Sequence, residues 1–206
     1  QQMMEMWWER DGLGIKRGEL HFSEHRASPL ADDFPGYSAS SLAAEYGTPL
    51  YVYSGIRVLE NYDRIKNAFG AADCDVRIHY AMKANSNRDI LTLLQSHGAW
   101  IDAVSPYEVE RAIECNFEPE KILYTGTSVG IDDLIAVNGA GARINVDKAS
   151  QLHRMKNYGM QQPVSIRMNP GVGGVGHSWK TITAGKEAHG RPIKFGIPDY
   201  QVLDAC

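Results

Sequence analysis

The stretch Ile78-His79-Tyr80-Ala81-Met82-Lys83-Ala84-Asn85-Ser86-Asn87 is an apolar run with a single lysine at its far end, followed by small and polar residues. It reads as a buried strand over Val76 to Tyr80 that turns sharply into a helix over Arg88 to His97, ended by Gly98. The same unit then recurs. Trp100 to Val104 reads as a second strand, and Ser105-Pro106-Tyr107-Glu108 as a capping box with proline at the first helical position. Lys121 to Tyr124 is a third strand, with Ile131 to Asn138 as its helix. Arg143 to Val146 is a fourth, after which Asp147 is expected to cap a helix carrying Leu152, Met155 and Tyr158 up to Gly159. Val164 to Pro170 is a fifth. Strand and helix alternating every ~20 to 25 residues is the period of βα units that feed a parallel sheet or barrel. The fold class is therefore α/β; the expected form is a TIM-type (β/α) barrel that is incomplete, with about five strands, and the period alone leaves a free-standing doubly wound sheet open. No glycine-rich phosphate turn follows the first strand, which weighs against a doubly wound sheet.

Upstream, Ser41 to Tyr46 reads as a short helix stopped by Gly47, and Thr48 to Tyr53 as a strand rich in aromatic and branched residues. Ser54 is placed to cap a helix on which Val58, Tyr62, Ile65 and Phe69 share a face, with Gly70 ending it. Residues 1–40 form an irregular lead-in broken by Gly12, Gly14, Gly18, Pro29, Pro35 and Gly36. The domain expected to carry function is 41–206.

Among the 206 residues, acids and bases are interspersed and the formal net charge is -4, which leaves no footprint for nucleic acid or an anionic membrane. No apolar run approaches the ~20 residues of a membrane span. The first ten residues are too acidic for a signal peptide. Cys74, Cys115 and Cys206 lack metal or redox spacing, so the expected setting is reducing and cytoplasmic. No histidine pair stands at ligand spacing, and no metal site is expected.

Lys83 is the residue most worth explaining. An amine condenses with an aldehyde only when neutral, and the end of a buried strand disfavours an ammonium. Asp102 lies between Ile101 and Ala103, and a carboxylate in an apolar strand needs a partner. Arg167, between Ile166 and Met168, is a candidate for that partner. Ser105 reads first as a cap. Asn85 either orients the turn or touches a ligand, and Tyr80 either packs in the core or lines a site. After Pro170 the rhythm stops. Gly171 to Lys194 is glycine-rich and polar, long for a βα loop and of the kind that forms lids. It lacks the Gly-Lys-Ser/Thr ending of a phosphate loop. Its glycines supply hinge freedom, and His177 and Ser178 are its candidate substrate contacts, against the plainer reading of a surface loop.

Tyr80-Ala81-Met82-Lys83-Ala84-Asn85 resembles the cofactor-lysine motif of the pyridoxal-phosphate amino-acid decarboxylases of the alanine-racemase-like barrel class. Glu45 to Tyr53, Asp102-Ala103-Val104-Ser105 with Glu108, Lys121 to Gly126, Ile144-Asn145-Val146-Asp147 and Arg167-Met168-Asn169-Pro170 resemble further family segments in family order. Gly176-His177-Ser178 with Lys180 and Thr181 resembles the family's lid. The resemblance spans roughly residues 40 to 200 and is nearest to the branch that decarboxylates meso-diaminopimelate to L-lysine. It implies pyridoxal 5'-phosphate as cofactor, held by Lys83 with Asp102 and Arg167 nearby. It also implies a small amino-acid substrate and a homodimer at full length. Branches acting on D-ornithine or D-lysine, carboxynorspermidine or a carrier-bound amino acid look similar over this stretch, and a non-catalytic relative is the alternative of another class. By the same resemblance, the cofactor-stacking histidine, the phosphate loop, the pyridine-pairing glutamate and a C-terminal β-domain are expected beyond Cys206. The piece alone is expected to turn over poorly.

Overall fold

The computed structural model describes residues 13–16, 19–22, 37–70, 74–170 and 195–205, and of 13–16, 19–22 and 204–205 the backbone alone. The chain divides into two compact units, Gln1–Val76 and Arg77–Cys206. In the first, β1 (Leu13–Lys16), β2 (Glu19–Phe22) and β3 (Tyr37–Ser38) form an antiparallel sheet in that order. The described part of the lead-in is thus β-structured, and Gly14 lies inside β1 rather than breaking it.

Ser38 then caps α1 (Ala39–Tyr46), its hydroxyl accepting from Ser41 N–H at 3.0 Å. Gly47 ends that helix at φ +81°, a conformation that suits a residue without Cβ. Ser54 accepts from Arg57 N–H and starts α2 (Gly55–Ala68) as its sequence predicts. Of the predicted apolar face, Tyr62 is buried, whereas Ile65 and Phe69 are exposed. Thr48 to Tyr53, expected as a strand, has no ladder partner among the described residues, and Tyr51 is 84% exposed. Propensity makes a segment fit a sheet, but a strand exists only where a neighbour takes its hydrogen bonds.

The second unit carries the repeating pattern. β4 (His79–Ala81), β5 (Trp100–Ala103), β6 (Ile122–Tyr124), β7 (Arg143–Val146) and β8 (Val164–Ile166) form a five-stranded parallel sheet in chain order. Between them run α3 (Arg88–Ser96), α4 (Pro106–Glu114), α5 (Ile131–Gly139) and α6 (Ala149–Asn157). Unreversed order with helical crossovers is the wall of a βα barrel.

The wall gains a short sixth position. β9 (Met168–Asn169) pairs in parallel with β10 (Ile197–Pro198), which leads into α7 (Asp199–Ala205). Arg167 joins the two sheets: its N–H donates to Val146 O at 2.8 Å and its carbonyl accepts from Ile197 N–H at 2.7 Å.

Strand parity sorts the sheet into two faces. Ile101, Ala103, Ile122, Tyr124, Ile144 and Val146 are each at most 1% exposed and cluster with Leu91, Val109, Leu134, Val137 and Met155 of the helices. The opposite parity, linked by register, holds Ala81, Asp102, Leu123, Arg143, Asn145 and Ser165, none of them buried. One face makes the core and the other is free for chemistry.

Two caps differ from expectation. Ser105 accepts from Glu108 N–H, but Glu108 reaches back to Val104 N–H at 2.7 Å rather than to the cap residue. Asp147 does not cap α6. Lys148 holds the cap position and Asp147 stands one residue before it, while Gln151 Oε1 accepts from both Asp147 N–H and Lys148 N–H.

Candidate functional site

Lys83 occupies a single 3₁₀ turn, Met82–Ala84, at the C-terminal end of β4. The turn is fastened on both sides. Met82 is buried at 1% exposure, and the Tyr80 hydroxyl donates to Asn85 O at 3.0 Å. Asn85 Oδ1 accepts from Asn87 N–H, and Asn87 Oδ1 caps α3 by accepting from Asp89 and Ile90 N–H. Tyr80 therefore braces the turn while packing against the core, and Asn85 orients it. These contacts leave Lys83 and Ala84 of the turn exposed, and of the two only the lysine carries a functional group. This corrects one expectation: the shielding from water foreseen for its amine does not come from the described residues.

Asp102 stands opposite Ala81 in the register, two residues before Lys83, and is half-buried. Its partner is not Arg167. Thr125 Oγ1, just past the end of β6, donates to Asp102 Oδ1, and Thr125 N–H extends the ladder to Ala103 O at 2.8 Å. The loop after Thr125 is tightly placed. A Cβ on Gly126 would overlap the Tyr124 phenol and stand 2.6 Å from Val129 Cγ1, while Arg154 Nη1 donates to Val129 O at 2.9 Å. Burial, with a smaller push from the Asp133 carboxylate, raises the Tyr124 phenol to about 12, so it stays protonated.

Arg167 pairs instead with Asp147, Nη1 to Oδ1 at 3.6 Å, and its guanidinium lies 4.4 Å from the Phe195 ring centre. Asp147 is 1% exposed. Its Oδ1 also accepts from Gly196 N–H at 3.1 Å, whereas Oδ2 is buried with no hydrogen-bond partner. Burial raises this carboxyl above the ordinary carboxylate value, outweighing the lowering effect of the Gly196 amide and of Arg167. Gly196 has φ +91°, and a Cβ there would press to 3.0 Å on Arg167 O and Asn169 N. The returning chain thus approaches β9 as closely as only glycine permits.

Lys83, Asp102 and Arg167 stand at or near the C-terminal ends of β4, β5 and β8, the end of the sheet at which barrel enzymes build their sites. The structure does not pair Asp102 with Arg167. His177 and Ser178 lie outside the described residues. Thr125 and Asp147 escaped the sequence reading. Each directly follows a strand, and that position was the available signal; a hydroxyl and a cap-like aspartate gave plainer explanations. At the other end of the sheet Trp100 lies between the Arg77 and Arg143 guanidiniums, at 4.6 and 5.3 Å, and beside His79. No cluster of three metal-ligating side chains occurs among the described residues, and no described helix is long and apolar enough to cross a membrane.

The second unit is thus a partial βα barrel with one braced lysine at the mouth of β4. The chain belongs to the family described as "Pyridoxal-dependent decarboxylase, pyridoxal binding domain", whose pattern matches residues 56–205. Pyridoxal phosphate is the cofactor that membership implies. The residues fit it, since an exposed primary amine stands beside a polar strand face. Among similar proteins, the diaminopimelate decarboxylase of Methanothermobacter thermautotrophicus is 42% identical over 167 residues, covering 81% of this chain and 38% of that protein. That of Streptomyces coelicolor is 36% identical over 173 residues, covering 82% and 37%. Among solved structures, the diaminopimelate decarboxylase of M. jannaschii in co-complex with L-lysine superposes with TM-score 0.73 at 29% identity, covering 96% of this chain and 44% of that one. The enzyme of Helicobacter pylori complexed with L-lysine gives 0.71 at 27% identity, covering 81% and 41%. The chain spans about two-fifths of the length of these relatives.

Proposed function

We propose that this chain is the cofactor-binding part of a decarboxylase that converts meso-2,6-diaminopimelate to L-lysine, working in the cytoplasm as a homodimer in its longest form. The observation that carries the reading is the position of Lys83: a lone amine on a braced turn at a barrel-strand end, inside a pyridoxal-binding family domain. Two similar structures hold L-lysine, the product of that reaction, which favours this substrate over the D-ornithine, D-lysine, carboxynorspermidine and carrier-bound branches.

When bound, pyridoxal phosphate supplies the electron sink that makes loss of carbon dioxide feasible. The chain's own residues supply attachment and positioning. Lys83 Nζ is the amine that would hold the cofactor and the group placed to hand a proton to the reacting centre. The Tyr80, Asn85 and Asn87 hydrogen bonds keep its turn from shifting. Asp102 brings a carboxylate to the same end of the sheet, and Arg167 brings a cation suited to anionic groups of cofactor or substrate. His177 and Ser178 are proposed as substrate contacts of the segment after Pro170.

The test uses the longest form that the gene encodes. Pyridoxal phosphate is added, the new absorbance band recorded, and borohydride reduction followed by peptide mapping. Label on Lys83, absent in Lys83→Ala, is the expected result; label elsewhere would sink the assignment. Supplying meso-diaminopimelate should then release carbon dioxide and L-lysine. A labelled protein that turns over neither this compound nor the related amino acids would instead be a non-catalytic carrier.

A further inference from the structure

Asp102 is carried by a strand, yet nothing in the strand fixes the rotation of its carboxylate, because the second side-chain torsion of aspartate has a broad profile. What fixes it is Thr125. A hydroxyl has one proton to give, and of the two acceptors near Thr125 Oγ1 the carboxylate is the stronger; Ala103 O stands at the 3.5 Å limit. Thr125 is itself held. Its N–H is spent on the ladder to Ala103 O, and the next residue is wedged against the Tyr124 phenol and Val129. Arg154 fastens Val129 from α6. A chain of contacts from α6 through the β6 loop therefore ends on one oxygen of Asp102, the residue in register two positions before Lys83.

We propose that Thr125 is a positioning residue of the Lys83 site, acting by orienting the Asp102 carboxylate. The inference rests on the cofactor reading of Lys83 and adds to it a residue that works only through its neighbour. Such a residue has a signature that a purely structural one lacks: its loss should matter only while Asp102 is present.

The experiment uses the longest form of the protein, freed of coenzyme, and measures affinity for pyridoxal phosphate by absorbance titration. Thr125→Val keeps the shape and removes the donor, whereas Thr125→Ser keeps the donor. Thr125→Val is expected to weaken binding about tenfold, the scale of one hydrogen bond to a charged group. Thr125→Ser should stay within about threefold of the parent. In an Asp102→Ala background, Thr125→Val should add nothing beyond about twofold. Melting curves and circular dichroism of Thr125→Val should match those of Thr125→Ser, which separates lost positioning from lost fold. Parental affinity in Thr125→Val would overturn the inference, and so would an undiminished tenfold loss in the Asp102→Ala background. Either result with a normally binding parent sinks this inference alone. A parent that fails to bind sinks the Lys83 reading together with it.

Discussion

Asp147 offers the sharpest test of the energetics, because two opposed effects meet on one carboxylate. It is 1% exposed, so ionising it forfeits hydration; against that stand one backbone N–H and the Arg167 guanidinium at 3.6 Å. At that separation the bare attraction is about 5 kcal/mol for an effective dielectric of 20, but Arg167 is 33% exposed and water screens much of it. Burial is the larger effect, and the carboxyl is raised from its ordinary 3.8. The sign follows. The folded chain binds this proton more tightly than the unfolded chain, so Asp147's contribution is most favourable below the ordinary carboxylate value. It falls as pH rises through the window up to the raised native value, and is flat above that. Asp147→Asn removes the charge and keeps an acceptor for Gly196, at the cost of an amide NH₂ where Oδ2 now lacks a partner. These changes oppose each other, so at neutral pH Asp147→Asn should lie within about 1 kcal/mol of the parent. Asp147→Ala loses the acceptor and leaves a void, and should cost about 2 to 3 kcal/mol. Urea unfolding of parent, Asn and Ala forms at acid and neutral pH measures all three, and the parent should lose ground to Asn as pH rises. A parent that instead gains on Asn with rising pH, with Asn as damaging as Ala, would mean that the Arg167 pair outweighs burial and that the reasoning is inverted.

Three further outcomes follow from single contacts. Gly126→Ala must push a methyl into the Tyr124 phenol and Val129, and should cost about 1 to 3 kcal/mol by thermal unfolding; a neutral result would mean the loop gives way freely. Asn87→Ala removes the cap that accepts from Asp89 and Ile90 N–H, and should cost about 1 kcal/mol, with Asn87→Asp restoring most of it. Lys83→Ala, at an exposed position, should leave the melting temperature of the coenzyme-free protein unchanged within error, and a large drop would assign the lysine a structural role.

Which parts of this were legible in the sequence depends on whether a residue's neighbours lie along the chain or across it. The β4-to-β8 rhythm was readable because each helix starts and stops on local chemistry: Pro106 at a first turn, Gly98 and Gly159 just past helix ends, apolar residues on the face that packs. Lys83 stood out because it ends an apolar strand within a motif that resembles a cofactor-lysine segment, and the structure puts it on an exposed turn. The partners of Asp102 and Arg167 were not. Each charge lies in an apolar run and asks for a counterpart, and pairing them with each other was the economical guess from composition. Register decides otherwise. Parallel strands in chain order bring the end of β6 beside β5, so Thr125 reaches Asp102, and bring the end of β7 beside β8, so Asp147 reaches Arg167.

The same logic explains why Thr48 to Tyr53 and Asp147 were misread. A strand-like composition states what a segment tolerates, and Thr48 to Tyr53 has no described neighbour to pair with. An aspartate before a helix is usually a cap, but here Lys148 holds the cap position and Asp147 precedes it, one residue short of the place from which a side chain serves the first helical N–H groups. Asp147 is thereby released to bind Gly196, 49 residues away, at the point where the chain returns beside β9. Where the helix starts thus decides whether the carboxylate caps α6 or ties the sixth strand position to the seat of Arg167. Gln151→Leu removes the acceptor that the Asp147 and Lys148 N–H groups share, and should cost about 1 to 2 kcal/mol by urea unfolding. A neutral result would mean that water serves those two N–H groups in its place, and that the start of α6 and the Asp147–Gly196 contact do not depend on the glutamine.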